Sequence, residues 1–442
     1  MEEIMGKARE IALKVLKEVN AGGKYVNISL KQNLDRAKID SRDARLVTQL
    51  VYGTLENQIN IDKILKQFAK LNRTNPWVEN ILRMGCYQIL YLDKIPDSAA
   101  CNEAVTLCKK YASNSLAGFV NGVLRNIVRN KEKLVTQKVS AFPSWIIEKW
   151  EKDYGYDVVK QMTDISLVDR SITIRANRSV ISKEQLAAKL QDMGVEVKNG
   201  LYFEEALRIR ITGNVGDNPL YKEGLFTVQG ESSMLVSHIV NPKKDDIILD
   251  ACSAPGGKAI HMAEMMENQG KIYAWDVHPH RVELIKRNCK RMGVNIINAE
   301  EQDARLFRPD LEKYFDRVLI DAPCSGLGVA HHKPDISLKI TPEKLKSLAA
   351  LQWDIISTCS RYVKPCGILV YSTCTINSDE NEKIINRFLD EFPDFAIDEF
   401  TDEVPDYFKN RIEEPGMIRL TPGRDGLDGF FIARMRRKNS NA

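Results

Sequence analysis

The hydrophobic positions of this chain change period twice. Over residues 1–130 they recur at helical spacing. Ile4, Ala8, Ala12, Val15, Leu16 and Val19 form one stripe, ended by Asn20-Ala21-Gly22-Gly23. Leu46, Leu50, Val51 and Leu55 form a second, with Ser41 placed to cap it. Asn75-Pro76 and Pro96-Asp97 open two more helices. A last one carries Phe119, Val120, Val123, Leu124, Ile127 and Val128. Residues 131–150 read as a connector, charged first and then Phe142-Pro143-Ser144-Trp145.

From 171 to about 228 the period shortens. Residues 172–176 alternate as a strand, 183–190 are helical, and 195–197 and 207–211 are short strand candidates. Beyond about 226, β and α patterns alternate. The strands are expected at 247–250, 272–276, 296–298, 317–321, 367–372, 396–400 and 428–435, with helices at 231–240, 258–267, 279–292, 343–363 and 379–391. Such alternation implies a mainly parallel sheet covered on both faces. The last two strands lack a helix between them and suit an antiparallel edge pair. The expected architecture is therefore multidomain: an all-α domain over 1–140, a connector and small α+β module over 141–225, and an α/β Rossmann-like domain over 226–442.

Composition adds bounds rather than identity. The 442 residues, 43% hydrophobic, suffice for two or three cores. A net charge of +4 permits nucleic-acid binding without demanding it, because a clustered patch matters more than the sum. Arg125, Arg129, Lys131 and Lys133 form one such cluster, which also suits a solvated helix end; Arg175, Arg178, Arg208 and Arg210 form another. Nine cysteines with no Cys-x-x-Cys pair argue against a disulfide framework or a zinc site, so no metal is expected. Free thiols fit a reducing cytoplasm. With Glu2 and Glu3 at the N-terminus and no bilayer-length apolar run, neither a signal peptide nor a membrane partner is expected, and a monomer is.

Ligands of open α/β sheets sit beyond the carboxyl ends of the strands, so those ends carry the candidate chemistry. The first strand runs into Asp250 and then Cys252, Ser253, Ala254, Pro255, Gly256, Gly257 and Lys258. The glycines admit a ligand close to the backbone. Without Gly-x-Gly-x-x-Gly, a ligand with ribose and adenine but no pyrophosphate fits better than a dinucleotide; S-adenosylmethionine is one. Asp276 ends the second strand, where a carboxylate can accept from both ribose hydroxyls, or simply cap the next helix. Asp303 follows the third and is a candidate for the adenine amino group.

The fourth strand ends in Asp321-Ala322-Pro323-Cys324-Ser325-Gly326 and the fifth in Ser372-Thr373-Cys374-Thr375. A free cysteine is usually a small buried hydrophobe. That reading suits Cys86, Cys108, Cys289 and Cys359. It does not suit two cysteines arriving at one ligand edge from neighbouring strands. An acid, a thiol and a methyl donor together match methylation of cytosine C5, a poor nucleophile. A thiolate adding at C6 makes C5 enamine-like, while an acid at N3 stabilises the developing charge.

Two resemblances bear on this. Residues 43–55 (DARLVTQLVYGTL) and 119–129 (FVNGVLRNIVR) resemble the antitermination factor NusB, an RNA-binding helical domain. The CSAPGGK, DAPCSG and STCT motifs, and with them essentially the whole chain, resemble the Sun/Fmu family, which methylates cytosine C5 in small-subunit ribosomal RNA. That resemblance implies a class I methyltransferase domain. It assigns residues 252–258, Asp276, Asp303 and Asp321 to S-adenosylmethionine. It makes Cys374 the nucleophile and Cys324 the helper in enzyme release, with Asp321 serving also as a base. DNA cytosine methyltransferases instead use the Pro-Cys thiol as nucleophile. Three alternatives share parts of this pattern: C5 methylation of another RNA such as tRNA, a non-catalytic RNA-binding assembly factor, and an adenine-N6 methyltransferase. The last would place an aromatic residue after Asp/Asn-Pro-Pro, where this chain has Pro323-Cys324-Ser325.

Overall fold

The computed structural model describes residues 2–70, 75–135, 142–164, 171–211 and 213–439. The chain divides into two compact units, Met1–Lys152 with Ala330–Lys339, and Asp153–Val329 with Ile340–Ala442.

The first unit is helical, as the periodicity implies. Its long helices are Glu2–Asn20, Ser41–Glu56, Pro76–Tyr91, Asp97–Tyr111 and Ala117–Arg129. Their apolar stripes meet in one core that includes Val15, Leu50, Ile81, Leu82 and Leu124. Asn75 caps its helix through Trp77 N at 2.9 Å. The cap of Ser41–Glu56 is Asp40 rather than Ser41: its carboxylate accepts from the amides of Arg42 and Asp43. Helices Val26–Ala37 and Gln58–Leu65, absent from the sequence reading, also belong here. The expected connector is helical too, with Lys131–Val135 and Ser144–Tyr154. Trp150 is fully buried against Phe142, ring centroids 5.1 Å apart, so this stretch builds core instead of bridging solvent. Residues 330–339 join this unit although the sequence assigns them to the third domain. Leu338 packs on the helical core and Lys339 Nζ donates to the Lys24 carbonyl at 2.6 Å.

In the second unit, strands β1 (Ile172–Ala176), β2 (Glu196–Asn199), β3 (Ala206–Arg210) and β4 (Phe226–Val228) form an antiparallel sheet in the order β2-β3-β1-β4. Helix Lys183–Asp192 packs Leu186 and Leu190 on it and opens with a Ser182/Gln185 capping box. Phe226 is paired to Ala176, so the module extends past the expected boundary at 225. Arg175 departs from the sequence reading. It is buried, with its guanidinium bonded to Glu264 and to Gln229 Oε1 (2.7 Å), and is not available to a phosphate backbone.

The remaining strands are β5 (Ile247–Asp250), β6 (Lys271–Asp276), β7 (Ile297–Glu301), β8 (Phe315–Asp321), β9 (Val363–Thr373), β10 (Phe395–Ile397), β11 (Met417–Leu420) and β12 (Phe430–Arg437). The sheet order is β10-β12-β9-β8-β5-β6-β7, with β11 beside β12. Strands β5 to β9 pair in parallel; β12 runs antiparallel to β9, and β10 antiparallel to β12. The order reverses at β5, between β6 and β8, which is where a ligand crevice opens in such sheets. Two helix expectations change. Helix Pro342–Cys359 stops short of 363, and β9 begins there. The helix expected from 379 breaks at Asn381, whose side chain is drawn to Thr375 O (3.0 Å) and Thr373 Oγ1 (2.6 Å), leaving a short 3-10 turn Ser378–Glu380 ahead of helix Glu382–Glu391. Among the described residues no helix is long and apolar enough to cross a membrane.

One polar cluster ties the small module to the larger sheet's helices. Glu205 Oε1 faces His238 Nε2 at 2.9 Å and His261 Nε2 at 3.3 Å. Burial pushes His261 down from 6.5 to about 3, while His238 and His261 hold the Glu205 carboxyl well below its ordinary value despite burial. An unfolded chain therefore takes up a proton near pH 6.5 that folded His261 refuses, so stability falls as pH drops below that value. Glu205 adds to the loss only at lower pH. Urea unfolding at pH 7.5 and 5.0 tests this: His261→Gln should reduce the stability lost between those values by about 2 kcal/mol.

Candidate active site

The residues at issue lie where β5, β6, β8 and β9 end. Asp250 finishes β5 fully buried, and the loop after it is tied across the sheet. Ser253 N donates to Trp275 O at 2.8 Å, Gly256 N to Ser253 O at 2.7 Å, and Asn288 Nδ2 to Pro255 O at 2.9 Å. Gly256 has φ +95, a conformation only glycine adopts without strain. At Gly257 an added Cβ would meet no atom within 4 Å, so the backbone is open to an approaching group.

Both Asp250 oxygens and the Ser253 hydroxyl are buried without a partner at hydrogen-bond geometry. Burial pushes the Asp250 carboxyl up to about 7, against the pull of the nearby Ser253 hydroxyl. Buried polar atoms of this kind call for a partner. Asp276, 6% exposed, accepts from His278 N at 3.0 Å and stands 3.8 Å from Arg281, which leaves acceptor capacity on the carboxylate. It thus caps the next helix and can still take ligand hydroxyls. The open glycine turn, the orphaned Asp250 and Ser253 atoms and the Asp276 carboxylate fit a ligand carrying hydroxyls and a cationic group. Asp303 is placed less directly. It lies two residues beyond β7, but its carboxylate grips Arg305 at 2.7 and 3.0 Å.

Across the switch point, Lys258 Nζ donates to Asp321 Oδ2 at 2.5 Å, and the Ser372 hydroxyl donates to Asp321 Oδ1 at 2.9 Å. Asp321 and Ser372 are register partners of β8 and β9. The turns leaving those partners bring Cys324 Sγ and Cys374 Sγ to 3.4 Å. Both thiols are half-buried. The hydrogen bond that Cys324 donates to Cys374, then burial, then negative charge on Cys374, then the Glu380 carboxylate push Cys324 well above its ordinary value, so Cys324 keeps its proton. By contrast Cys252 is held up chiefly by burial, as is Cys359. Behind Cys374, Gly328 packs so closely that a Cβ there would meet Gly429 O at 2.0 Å and Cys374 O at 2.9 Å.

Sequence reading missed what lies under the thiols. Glu380 Oε1 accepts from Ser325 N (2.8 Å) and Gln352 Nε2 (3.1 Å); Oε2 accepts from Ser325 Oγ (2.6 Å) and Asn377 Nδ2 (3.1 Å). The Ser325 and Thr375 hydroxyls share a bond of 2.7 Å. The only sequence signal was an acidic residue six positions after Cys374, which reads as an ordinary helix start.

The arrangement provides a cradle for a hydroxylated ligand, an ammonium–carboxylate pair and two touching sulfurs at one sheet edge. Comparison with known proteins agrees with it. Residues 237–436 match the family of the 16S rRNA methyltransferase RsmB/F, residues 6–129 the NusB family, and residues 142–216 the ferredoxin-like domain of RsmF/B-like methyltransferases. A probable ribosomal RNA small subunit methyltransferase B of Bacillus subtilis is 38% identical over 97% of this chain and 98% of its own length. Its counterpart from Synechocystis is 33% identical over 98% of this chain and all of its own. The crystal structure of PH0851 superposes with a TM-score of 0.80 at 27% identity, covering 97% of this chain and 99% of that one. With an all-helical first third, a small α+β module and a mixed-sheet third domain arranged along the full length of these relatives, the chain belongs to the ribosomal RNA small subunit methyltransferase B family.

Proposed function

We propose that this protein transfers a methyl group from S-adenosylmethionine to C5 of a cytosine in small-subunit ribosomal RNA, with Cys374 adding covalently at C6. The observation that carries this reading is the 3.4 Å pair of thiols beside the Lys258–Asp321 ion pair. A methyltransferase acting on a nucleophilic nitrogen or oxygen needs neither sulfur. The substrate class follows the names of the relatives.

Residues 252–258, with Asp250 beneath them, and Asp276 would hold the donor; Asp303 would line the far end of the same edge. The donor supplies an electrophilic methyl to C5. In the resting pair Cys324 carries the proton and hydrogen-bonds the Cys374 sulfur, which supports Cys374 as the thiolate. As the S–C6 bond forms, electron density moves into the ring, and the Lys258 ammonium, held by Asp321, is the cation placed to stabilise it. Release reverses the addition. The C5 proton passes to a base, for which Asp321 is at hand. Its bonding electrons restore the C5–C6 double bond, the C6–S bond breaks, and the pair returns to Cys374, where the Cys324 thiol again hydrogen-bonds it.

Three expectations test this. Asp276→Ala should weaken S-adenosylmethionine binding in calorimetry by about 1.5–3 kcal/mol for each charged hydrogen bond lost; an unchanged Kd in a folded variant removes Asp276 from the site. On denaturing gels with labelled RNA, Cys374→Ala should abolish methylation and give no covalent band. Cys324→Ala should accumulate a slow band that requires S-adenosylmethionine. The reverse pattern would exchange the two roles, and two active variants without adduct would end the covalent mechanism. In the helical unit, Arg125 and Arg129 are exposed on one helix and bond Asn121 and Asn126 of the same helix. Replacing both with Glu should lower RNA affinity and reduce the salt slope of log K by roughly two, with cofactor affinity intact. An unaltered slope would take this helix out of the RNA interface.

A further inference from the structure

Glu380 is fully buried, yet the five hydrogen bonds to its carboxylate come from neutral donors: Ser325 N and Oγ, Gln352 Nε2, Asn377 Nδ2 and, at 3.5 Å, Thr375 Oγ1. These donors are not scattered. Ser325 directly follows Cys324, and Gln352 also donates to Pro323 O at 2.9 Å, directly before it. Asn377 and the Ser325–Thr375 bond belong to the turn that carries Cys374. Tyr371 OH donates to the Glu380 carbonyl at 2.7 Å, anchoring the 3-10 turn to β9 itself. One carboxylate therefore joins the two thiol turns through their immediate chain neighbours.

We propose that Glu380 is a positioning residue for the thiol chemistry: its carboxylate clasps the turn carrying Cys324 to the turn carrying Cys374 and makes the two sulfurs unlike. The clasp sets their separation, since the Ser325 amide and hydroxyl fix where Cys324 can lie. The asymmetry is electrostatic. The titratable groups that face Cys324 are Tyr371 from β9, Cys374 from the turn after it, Glu380 from the 3-10 turn, and Asp321 with its partner Lys258 at the start of the Cys324 turn. Asp321 is paired with an ammonium. Among the described residues no cation hydrogen-bonds Glu380, so it presents the less compensated negative charge and opposes a thiolate at Cys324. The proton then resides on Cys324 and the negative charge on Cys374. This rests on the reading that the thiol pair acts in methyl transfer, but its first test does not.

In a Cys374→Ser background, which removes the coupled partner, alkylation of Cys324 by iodoacetamide is followed against pH by mass spectrometry. Glu380→Gln keeps the shape and removes the charge. The midpoint should fall by about one pH unit, giving roughly ten-fold more thiolate below it. A midpoint that does not move overturns the proposal, whatever RNA the enzyme methylates. Ser325→Ala in the otherwise intact chain probes the clasp and remains informative should Glu380→Gln fail to fold. It keeps the charge and loses the hydroxyl strap. Its kcat for RNA methylation should fall about ten-fold, with KM for S-adenosylmethionine and the Cys324 midpoint unchanged. Wild-type kcat in Ser325→Ala would equally overturn it. Absence of methylation in the unmutated protein, alongside a shifted Cys324 midpoint, would instead count against the proposed function and leave the role of Glu380 standing.

Discussion

The site depends on the register of two central parallel strands. β8 and β9 pair so that Asp321 lies beside Ser372. The chain leaves both strands at that level, and three residues on one side and two on the other bring Cys324 and Cys374 into contact. A one-residue slip would turn every side chain of a strand to the opposite face. It would separate Asp321 from the Ser372 hydroxyl and bury one thiol among core residues. The slip is resisted because both faces of these strands are packed, with Leu319 and Val370 in one apolar core and Ile320 and Tyr371 in the other. The hydrophobic core thus does more than stabilise: it sets where two sulfurs meet.

Behind and in front of the thiols the polar chemistry differs. The back is a buried network in which Gln352 and Asn377 donate to Glu380 and Thr373 bonds Asn381, while the Gln352 and Asn377 amide oxygens stay without a partner. A buried carboxylate costs several kcal/mol unless its lone pairs are filled, and here five donors fill those of Glu380. The front is half-open: Lys258 and Asp321 are partly exposed, and the glycine loop beside them offers buried atoms that have no partner in the protein. A buried, hydrogen-bonded back and a half-open front suit a site that must hold reacting sulfurs in place while admitting ligands.

Arginines show how little residue type alone says. Arg175 sits on β1 between the buried Ile174 and Ala176, and its own side chain is buried against Glu264 and Gln229. Arg125 and Arg129 sit on the outer face of an amphipathic helix whose Val120, Val123, Leu124 and Ile127 are buried, and remain exposed. Their basic character is the same, and only their facing differs.

Local pattern was enough for much of the chain. Helical stripes, capping Asn75-Pro76, the α/β alternation and the strand ends at Asp250, Asp276 and Asp321 depend on neighbours a few residues away, so they are legible in order along the sequence. The glycine turn and the two Cys-bearing turns were legible for the same reason. What the sequence could not decide was long-range. Helices Val26–Ala37 and Gln58–Leu65 gain their stability from the shared core. Residues 330–339 join the helical unit through the packing of Leu338, and Phe226 joins the small sheet through its pairing with Ala176. The break at Asn381, and with it the placing of Glu380 under two turns centred at 325 and 375, arises from hydrogen bonds that exist only once β8 and β9 are side by side. Propensity and spacing act within a few residues; a buried carboxylate shared between distant turns is specified only by the tertiary fold that brings its donors together.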